Sequence, residues 1–376
     1  MIKLLFAGDY CPGSRVADLV DKKQYIEVFG DVKTIIGKSD YSVVNFECPV
    51  VLNKATPISK NGPNLRTNTN AVEALQYAGF RMATLANNHL YDYGKTGVID
   101  TLNTCKDYAI DVVGGGLDLE DAQKIFYKQI KDKVFAFINF CEHEFSIATK
   151  NSGGANPLNP TVNYYQILEA KKNADYVIIV AHGGHEYFQY PSIRMKQTYR
   201  FFVDVGADAV INHHQHCYSG YEIYNDKPIF YGLGNFSFDE ENKRDSIWNE
   251  GYIVELKFEE KKITHKLTPY VQADKKPGVI LIKDTSSFFE NINRINKIID
   301  NNKLLERKIN DYYIKSGVST ALVFEPFKNR IINGLRRRSL FPRLLGKSKW
   351  YQIRNMIECE SHRDKIIGYL KHIQNQ

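Results

Sequence analysis

The sequence predicts an α/β fold, because apolar runs of strand length alternate with segments whose apolar residues recur at helical spacing. Residues 71–79 form one such helical segment, and they end in a glycine of the kind that commonly closes a helix. Residues 194–206 have the same pattern and lead directly into another apolar run. The order of helix, glycine and buried strand is typical of α/β domains.

The predicted strands share a second feature, since each is followed by polar side chains that can bind a metal ion. The runs at 2–7, 41–46 and 176–181 are mostly apolar, which predicts strands buried on both faces. Ligands of such sheets collect at the carboxyl ends of the strands, so we expect these polar residues to lie close together. The candidate metal ligands are Asp9, Glu47, Asn88, His182, His214 and His216.

The candidate ligands combine carboxylates with imidazoles, which is a donor set for a hydrolytic centre with two ions and one shared carboxylate. His214 and His216 carry the strongest signal, because alternate residues of a turning loop can direct two imidazoles at neighbouring ions. We expect His213 to point away, because adjacent side chains usually face opposite sides. Two divalent ions, Mn, Fe or Zn, are the cofactors that mixed histidine and carboxylate ligands favour.

Motifs in residues 1–240 resemble, in order and spacing, those of the CapA family of poly-γ-glutamate capsule synthesis proteins. They are Phe6-Ala7-Gly8-Asp9, Asn45-Phe46-Glu47, Asn87-Asn88-His89-Leu90-Tyr91-Asp92, His182-Gly183-Gly184-His185-Glu186, His213-His214-Gln215-His216 and Gly232-Leu233-Gly234-Asn235. That family is similar in fold to the calcineurin-like metallophosphoesterases. The resemblance therefore implies a metallophosphoesterase-like αββα sandwich of two mixed sheets, followed here by a helical, basic C-terminal extension.

The resemblance also implies how the ligands divide: Glu47 bridges two ions, Asp9 and His216 hold one, and Asn88, His182 and His214 hold the other. His89 lies where the phosphoesterases keep a general acid, and Asp92 would orient it by a hydrogen bond. Arg66 would meet an anionic group of the substrate. Glu186 is a further candidate for substrate binding, with a solvated side chain as the alternative.

Two positions depart from the pattern of that superfamily. Phosphoesterases carry Asp-x-His after the first strand, whereas this chain has Asp9-Tyr10-Cys11, so one ion lacks an imidazole. Gly183 stands where many relatives carry tryptophan, which would reshape the substrate cleft. We expect Cys11 and the other cysteines beside candidate ligands to pack as small apolar residues.

The net charge of +7 is concentrated in residues 327–350, which have basic but no acidic side chains. The basic residues are Lys328, Arg330, Arg336, Arg337, Arg338, Arg343, Lys347 and Lys349. Their alternation with Leu, Ile and Phe suits an interfacial helix on an anionic membrane. A solvated helix face and a groove for an anionic polymer are the alternatives. The rest of the chain is near neutral and gives no reason to expect nucleic acid.

Residues 1–275 are expected to form the CapA-like metallophosphoesterase domain, and residues 276–376 a helical basic region, because the composition then shifts to Ile, Asn and Lys. No apolar stretch reaches the roughly 18 residues that a bilayer span needs. The cysteines form no CxxC pair and fit a reducing compartment. The expected location is the cytoplasm, with peripheral contact to a membrane surface or a membrane synthase complex through residues 327–350.

The expected function is that of a metal-dependent hydrolase in the biosynthesis of a capsule or other surface polymer, either poly-γ-glutamate or a polysaccharide. The ions would activate water for attack on a phosphorus or carbonyl centre, and His89 would protonate the leaving group. The sequence leaves open a phosphodiesterase or phosphatase, because two-metal sites serve several reactions. It also leaves open an accessory subunit of a membrane-bound polymer synthase. The expected partner is an anionic surface polymer or its precursor.

Overall fold

The structure is a computed structural model that describes residues 1–260, 262–321, 324, 329–338, 340–342, 344–358 and 370. The strands are β1 (Ile2–Tyr10), β2 (Tyr41–Phe46), β3 (Met82–Thr84), β4 (Asp111–Val113), β5 (Gly115–Gly116), β6 (Phe126–Ile130), β7 (Lys133–Cys141), β8 (Gly154–Ala155), β9 (Tyr176–His182), β10 (Ala209–His213), β11 (Tyr221–Tyr224), β12 (Lys227–Phe230), β13 (Asn235–Ser237), β14 (Glu250–Glu259), β15 (Lys262–Gln272) and β16 (Val279–Leu281). The helices are α1 (Ser14–Asp21), α2 (Tyr25–Phe29), α3 (Val32–Ile36), α4 (Thr69–Ala78), α5 (Gly94–Asp107), α6 (Leu119–Ala122), α7 (Pro160–Asn173), α8 (Ile193–Val205), α9 (Ser286–Asp300), α10 (Asn302–Ala321), α11 (Arg330–Arg337) and α12 (Lys347–Glu358).

Most of the strands belong to two mixed sheets. The first sheet has the order β16-β15-β14-β1-β2-β3-β4, and β13 also pairs with β1. Its strands β1 to β4 are parallel, whereas β14, β15 and β16 add antiparallel pairs. The second sheet has the order β11-β12-β10-β9-β7-β6, in which β7, β9, β10 and β12 are parallel. The carboxyl ends of the parallel strands therefore offer one common edge in each sheet.

The two sheets pack face to face, and helices cover the outer face of each. Alternate residues of β1 face opposite sides of the first sheet, because side chains alternate along a strand. Leu4 and Phe6 belong to the core shared with the second sheet, whereas Leu5 lies in the core under the helices. Across the sheets, the rings of Tyr41 and Phe137 lie 5.7 Å apart. This layer order confirms the expected αββα sandwich.

Both predicted helical segments are helices, and the side chains at their starts explain where they begin. The carboxamide of Asn68 accepts a hydrogen bond from the amide of Asn70, which caps α4. The hydroxyl of Ser192 accepts from the amide of Met195 at 3.1 Å and caps α8 in the same way. These caps define where the helices that precede β3 and β10 begin.

The chain divides into two compact units, Met1–Leu305 and Glu306–Gln376. The composition predicts a boundary near residue 275, but the next two elements pack on the first unit. Strand β16 pairs with β15, and α9 buries Phe288 in the core between the sheets. The ammonium of Lys196, on α8, is buried and donates to the carbonyl oxygen of Ile299 at the end of α9. A separate domain starting at residue 276 stays a prediction.

The structure describes the helices α10, α11 and α12 in the C-terminal region, in agreement with the helical extension expected from the sequence. Arg336 of α11 is buried, and its guanidinium lies 5.4 Å from the ring centre of Phe341. Arg337 is exposed, as a basic surface requires. Lys328 and Arg343 lie outside the described residues. Within the described ranges, we find no helix that combines the length and the apolar character needed to cross a membrane.

Gly8 brings β1 against β13 at the edge where the candidate ligands lie. A Cβ atom on Gly8 would be only 1.8 Å from the carbonyl oxygen of Gly234, so any larger residue would force the strands apart. The amide of Asp9 donates to that same oxygen at 3.2 Å. This close contact fixes Asp9 at the carboxyl end of β1.

Candidate metal centre

The candidate metal ligands meet at the carboxyl edge of both sheets. Their side chains are buried, and none is more than 7% exposed. Each one lies within a parallel strand or no more than four residues after its end, which is the region that the apolar runs predict. The ligands and their strands are Asp9 of β1, Glu47 after β2, Asn88 after β3, His182 at the end of β9, and His214 and His216 after β10.

One group of ligand atoms converges around the imidazole of His182. Its Nε2 lies 3.0 Å from Oδ1 of Asn88 and 3.0 Å from Nδ1 of His214. The same nitrogen lies 3.5 Å from Oε1 of Glu47. Glu47, His182 and His214 offer ligand atoms that all lie within 4.8 Å of one another, which is close enough to surround one ion.

A second group consists of Asp9, Glu47 and His216, whose ligand atoms also lie within 4.8 Å of one another. Nδ1 of His216 is 3.7 Å from Oδ2 of Asp9, and its Nε2 is 3.7 Å from Oε1 of Glu47. Glu47 belongs to both groups. A carboxylate has two oxygens and could therefore bind one ion in each group, as a bridging ligand does.

The electrostatics of Glu47 test whether this donor set fits a cation. Both of its carboxylate oxygens are buried, and neither has a hydrogen-bond partner among the residues that the structure describes. Burial and the nearby charge of Asp9 raise the pKa of Glu47 well above its usual range. A buried carboxylate that is not hydrogen-bonded is costly unless a cation neutralises it. The donor set therefore fits divalent ions.

The pKa shifts of Asp9, His182 and His216 favour the forms that bind a metal, whereas the raised pKa of Glu47 means that its carboxyl gives up a proton when a cation binds. Burial opposes ionisation of Asp9, but its contacts with His213 and His216 outweigh burial and hold the pKa of Asp9 below its usual range. Burial, with a further contribution from His214, lowers the pKa of His182 well below its usual range. Burial likewise lowers the pKa of His216, although Asp9 opposes that shift. Carboxylate and neutral imidazole are the forms that bind metals.

Three neighbouring side chains hold the ligands in place. The Asn45 amide donates to Oδ1 of Asp9 at 2.8 Å, and Oδ1 of Asn235 lies 2.9 Å from Nδ1 of His216. Nδ1 of His213 lies 3.2 Å from Oδ1 of Asp9. His213 pairs in register with His182 at the end of β10, so its side chain faces the same side, and the expectation that it points away is wrong. It belongs to none of the groups of ligand atoms in the described residues. His214 has a φ of 93° and His216 has a φ of 53°, so the rule of alternating faces ends with β10.

The arrangement around His89 contains the expected Asp92 and a lysine that the sequence did not suggest. Nδ1 of His89 lies 2.7 Å from Oδ2 of Asp92, and both side chains are buried. The ammonium of Lys60 forms an ion pair with Asp92 and lies 3.2 Å from Nδ1 of His89. The amide of Leu65 donates to Oδ2 of Asp92 at 2.6 Å. Asp92 thus ties the loop that carries Lys60 to the turn that carries His89.

Replacing Lys60 with methionine should reduce turnover by about 10- to 100-fold while leaving the metal content unchanged. Loss of a residue that orients a functional side chain typically lowers activity by that factor. Without the ammonium, the Asp92 carboxylate keeps the Leu65 amide but loses its ion pair, so it orients His89 less firmly. Steady-state kinetics with metal analysis would measure both effects. Lys54→Met is the matched control, because Lys54 is exposed in the same loop. A loss of metal in the Lys60 variant would contradict this role.

The two expected substrate-binding residues lie at the surface. Arg66 is exposed, and its guanidinium lies 5.8 Å from the ring centre of Tyr93. Glu186 is exposed too, but its carboxylate belongs to a third group of ligand atoms, with His214 and His216, within 4.8 Å of one another. Contact of either residue with substrate stays a prediction.

Residues 3–240 match the family described as bacterial capsule synthesis protein PGA_cap, which covers more than half of the chain. The chain belongs to the PGA_cap family. Within that family it is 37% identical over 238 residues to the PGA biosynthesis protein CapA of Bacillus subtilis (strain 168). It is 35% identical over 247 residues to the capsule biosynthesis protein CapA of Bacillus anthracis.

These two matches cover only part of this chain and only part of each relative. They cover 62% and 64% of this chain, and 63% and 60% of the two relatives. Among solved structures, a protein described as a novel phosphatase from Mycoplasma pneumoniae matches 73% of this chain and 95% of its own, with 16% identity and a TM-score of 0.48.

The two departures noted in the sequence have physical explanations in this PGA_cap protein. Burial raises the pKa of the Cys11 thiol well above its usual range, with a further contribution from Cys48, so Cys11 packs as a neutral side chain. At Gly183, a Cβ atom would lie 2.6 Å from Cγ of Glu142. The Glu142 carboxylate accepts from the amide of Gly184 at 3.2 Å and pairs with Arg194. An ion pair therefore occupies the space that a tryptophan would need.

Proposed function

We propose that the chain is a metal-dependent hydrolase that binds two divalent ions, of Mn, Fe or Zn, and acts in the biosynthesis of a capsule or other anionic surface polymer. The observation that carries the proposal is that two groups of ligand atoms share Glu47, a buried carboxylate that no donor in the described part of the chain satisfies. Membership of the PGA_cap family supports the polymer, and poly-γ-glutamate is the first candidate.

Each residue has a defined part in this proposal. Glu47 bridges the two ions, Asp9 and His216 hold one, and Asn88, His182 and His214 hold the other. When bound, two divalent ions supply Lewis-acid activation of water and of the scissile group. Asp92 occupies Nδ1 of His89, so Nε2 is the ring atom that can deliver a proton to the leaving group. Arg66 would bind an anionic group of the substrate.

One experiment tests the bond that is cleaved. The metal-free protein is loaded with Mn²⁺ or with Zn²⁺, and each form receives an aryl phosphodiester, an aryl phosphomonoester and a γ-glutamyl polymer. We expect metal-dependent action on the polymer and weak aryl phosphodiester turnover, because one ion lacks the imidazole that phosphoesterases supply. Rapid phosphodiester turnover without action on any polymer would instead favour the phosphodiesterase. Glu47→Gln, loaded in the same way, controls for contaminating hydrolases.

The C-terminal helices support a second, compatible role at an anionic membrane. Ile331 is 74% exposed and Leu340 is 69% exposed, beside the exposed Arg337 and Arg338. Apolar side chains next to basic ones are the combination that interfacial helices use. We propose that this surface places the enzyme, or an accessory subunit of a polymer synthase, at the membrane where a surface polymer is made.

Replacing Arg337 and Arg338 together with alanine should weaken binding to anionic vesicles by about 2 kcal/mol, since each basic side chain near such a surface contributes about 1 kcal/mol. Vesicle sedimentation with the full chain measures the change. Lys275→Ala with Lys276→Ala is the matched control, because both lysines are exposed on the first unit. If both double variants lose the same amount of vesicle binding, the net charge of the protein, and not the surface around Arg337 and Arg338, causes the binding.

A further inference from the structure

Glu186 lies beside one ligand from each of the two proposed ion sites. Its carboxylate and the imidazoles of His214 and His216 place ligand atoms within 4.8 Å of one another. His214 also belongs to the group around His182, and His216 belongs to the group around Asp9. Both histidines are 5% exposed, whereas Glu186 is exposed, so the carboxylate approaches the buried ligands from the open side of the site.

The backbone next to Glu186 is fixed to the turn that carries the two histidines. The amide of Tyr187 donates to the carbonyl oxygen of Gln215 at 2.8 Å, and Gln215 lies between His214 and His216. Tyr187 has a φ of 59°, in the left-handed region. A left-handed backbone is strained for a residue of this size, and it persists only where the surroundings enforce it.

The ring of Tyr187 supplies part of that enforcement. It stacks on Trp248 at a centroid distance of 6.0 Å, and Trp248 in turn lies 4.7 Å from the ring of His216. The hydrogen bond and the stacked rings both hold the segment against the histidine turn. Glu186 is therefore carried on a segment that is fixed relative to His214 and His216, although its own side chain is exposed.

The ion held by Asp9 needs a further donor. Asp9, Glu47 and His216 are its protein ligands in the proposed centre, and position 11 offers a buried cysteine where the phosphoesterases have an imidazole. Most sites of this kind use four or more donors from protein and solvent. A carboxylate on the open side, close to His216, is placed to supply one of them.

We propose that Glu186 is a metal ligand, and that its carboxylate completes the shell of the ion held by Asp9, Glu47 and His216. The inference rests on the proposed function, because it requires that ion. It gives this position three carboxylates and one imidazole. Such an oxygen-rich set favours Mn²⁺ over Zn²⁺, which prefers nitrogen and sulfur. It also makes Glu186 a determinant of metal choice rather than a contact for substrate.

The test measures metal uptake, without turnover. The full chain is freed of metal with a chelator and titrated with Mn²⁺ by calorimetry, and the bound metal is counted by elemental analysis after gel filtration. We expect two ions in the unchanged protein. In Glu186→Gln we expect one ion at unchanged affinity, and the other weakened by more than the roughly 10- to 100-fold that loss of an outer-sphere partner costs. Glu186→Asp should recover part of that affinity.

Glu240→Gln is the matched control, because Glu240 is an exposed carboxylate that contributes to the electrostatic environment of Tyr187, as Glu186 does. It should bind both ions with unchanged affinity. Two ions at unchanged affinity in Glu186→Gln would overturn this inference and leave the proposed function intact. If metal affinity is unchanged but a separate kinetic measurement shows an altered KM, the inference is likewise overturned and Glu186 returns to substrate binding. Absence of metal uptake by the unchanged protein would overturn the proposed function itself, and the inference with it.

Discussion

Replacing Glu47 with glutamine is expected to reduce bound metal from two ions to at most one per chain and to bring metal-dependent hydrolysis down to background. Glu47 belongs to both groups of ligand atoms, so its loss affects both ions. His214→Ala should likewise remove the ion held with His182. Elemental analysis after dialysis against metal-containing buffer measures the first effect, and hydrolysis of the preferred substrate measures the second.

The same Glu47 variant should show the opposite effect on the metal-free protein. Because burial and Asp9 raise the pKa of Glu47, folding of the metal-free chain at neutral pH requires this carboxyl to take up a proton, and an amide of the same shape avoids that cost. We expect the free energy of unfolding of the metal-free chain to rise by about 1–3 kcal/mol in Glu47→Gln. Glu27→Gln, at an exposed carboxylate on α2, should change neither stability nor metal content. Full metal content and turnover in both Glu47→Gln and His214→Ala would contradict the proposed site.

Replacing His89 with alanine should keep both ions and lower turnover by roughly 10²- to 10⁴-fold, which is what a general acid contributes. The imidazole is held by Asp92 and Lys60, and it lies next to Asn88 without belonging to either ligand group. The loss should shrink for substrates with good leaving groups, since these need little protonation. Rates across a series of leaving groups, together with metal analysis, measure this dependence.

An equal loss for good and poor leaving groups would show that His89 serves the structure of the site instead. Lys60→Met adds an independent comparison, because that lysine reaches His89 only through the ring nitrogen that faces Asp92. If His89 is the acid, both variants should show the same dependence on leaving group, with a smaller loss for Lys60→Met.

The candidate ligands could be predicted from sequence because each of them follows a local pattern. Asp9, Glu47 and His182 come at the ends of apolar runs, and parallel strands bring such ends to one edge. The order of the motifs then implied the sandwich of two mixed sheets. Helix α9 also has a visible apolar stripe, in which Phe288 and Ile292 are four residues apart. The sequence did not show that this stripe packs on the first unit.

Other parts of the site depend on contacts that no local pattern marks. Lys60 lies in a polar loop without periodicity, and its ion pair with Asp92 exists only because the loop folds back onto the His89 turn. His213 faces the site because it pairs in register with His182, and the positive φ of His214 brings the next imidazole to the same site, which alternation along a strand cannot predict. Tyr187 likewise adopts its left-handed backbone because of hydrogen bonding and ring packing with distant residues.

The buried carboxylate of Glu47 also links this protein to the metal supply of the cell. A ligand that binds only the folded chain stabilises it by RT ln(1 + [L]/Kd), or about 2.7 kcal/mol when the free ion is at 100 times its Kd. That difference lowers the unfolded fraction, which proteases degrade, by roughly a hundredfold. Under metal starvation the cell should therefore lose the protein itself through turnover, in addition to its catalysis.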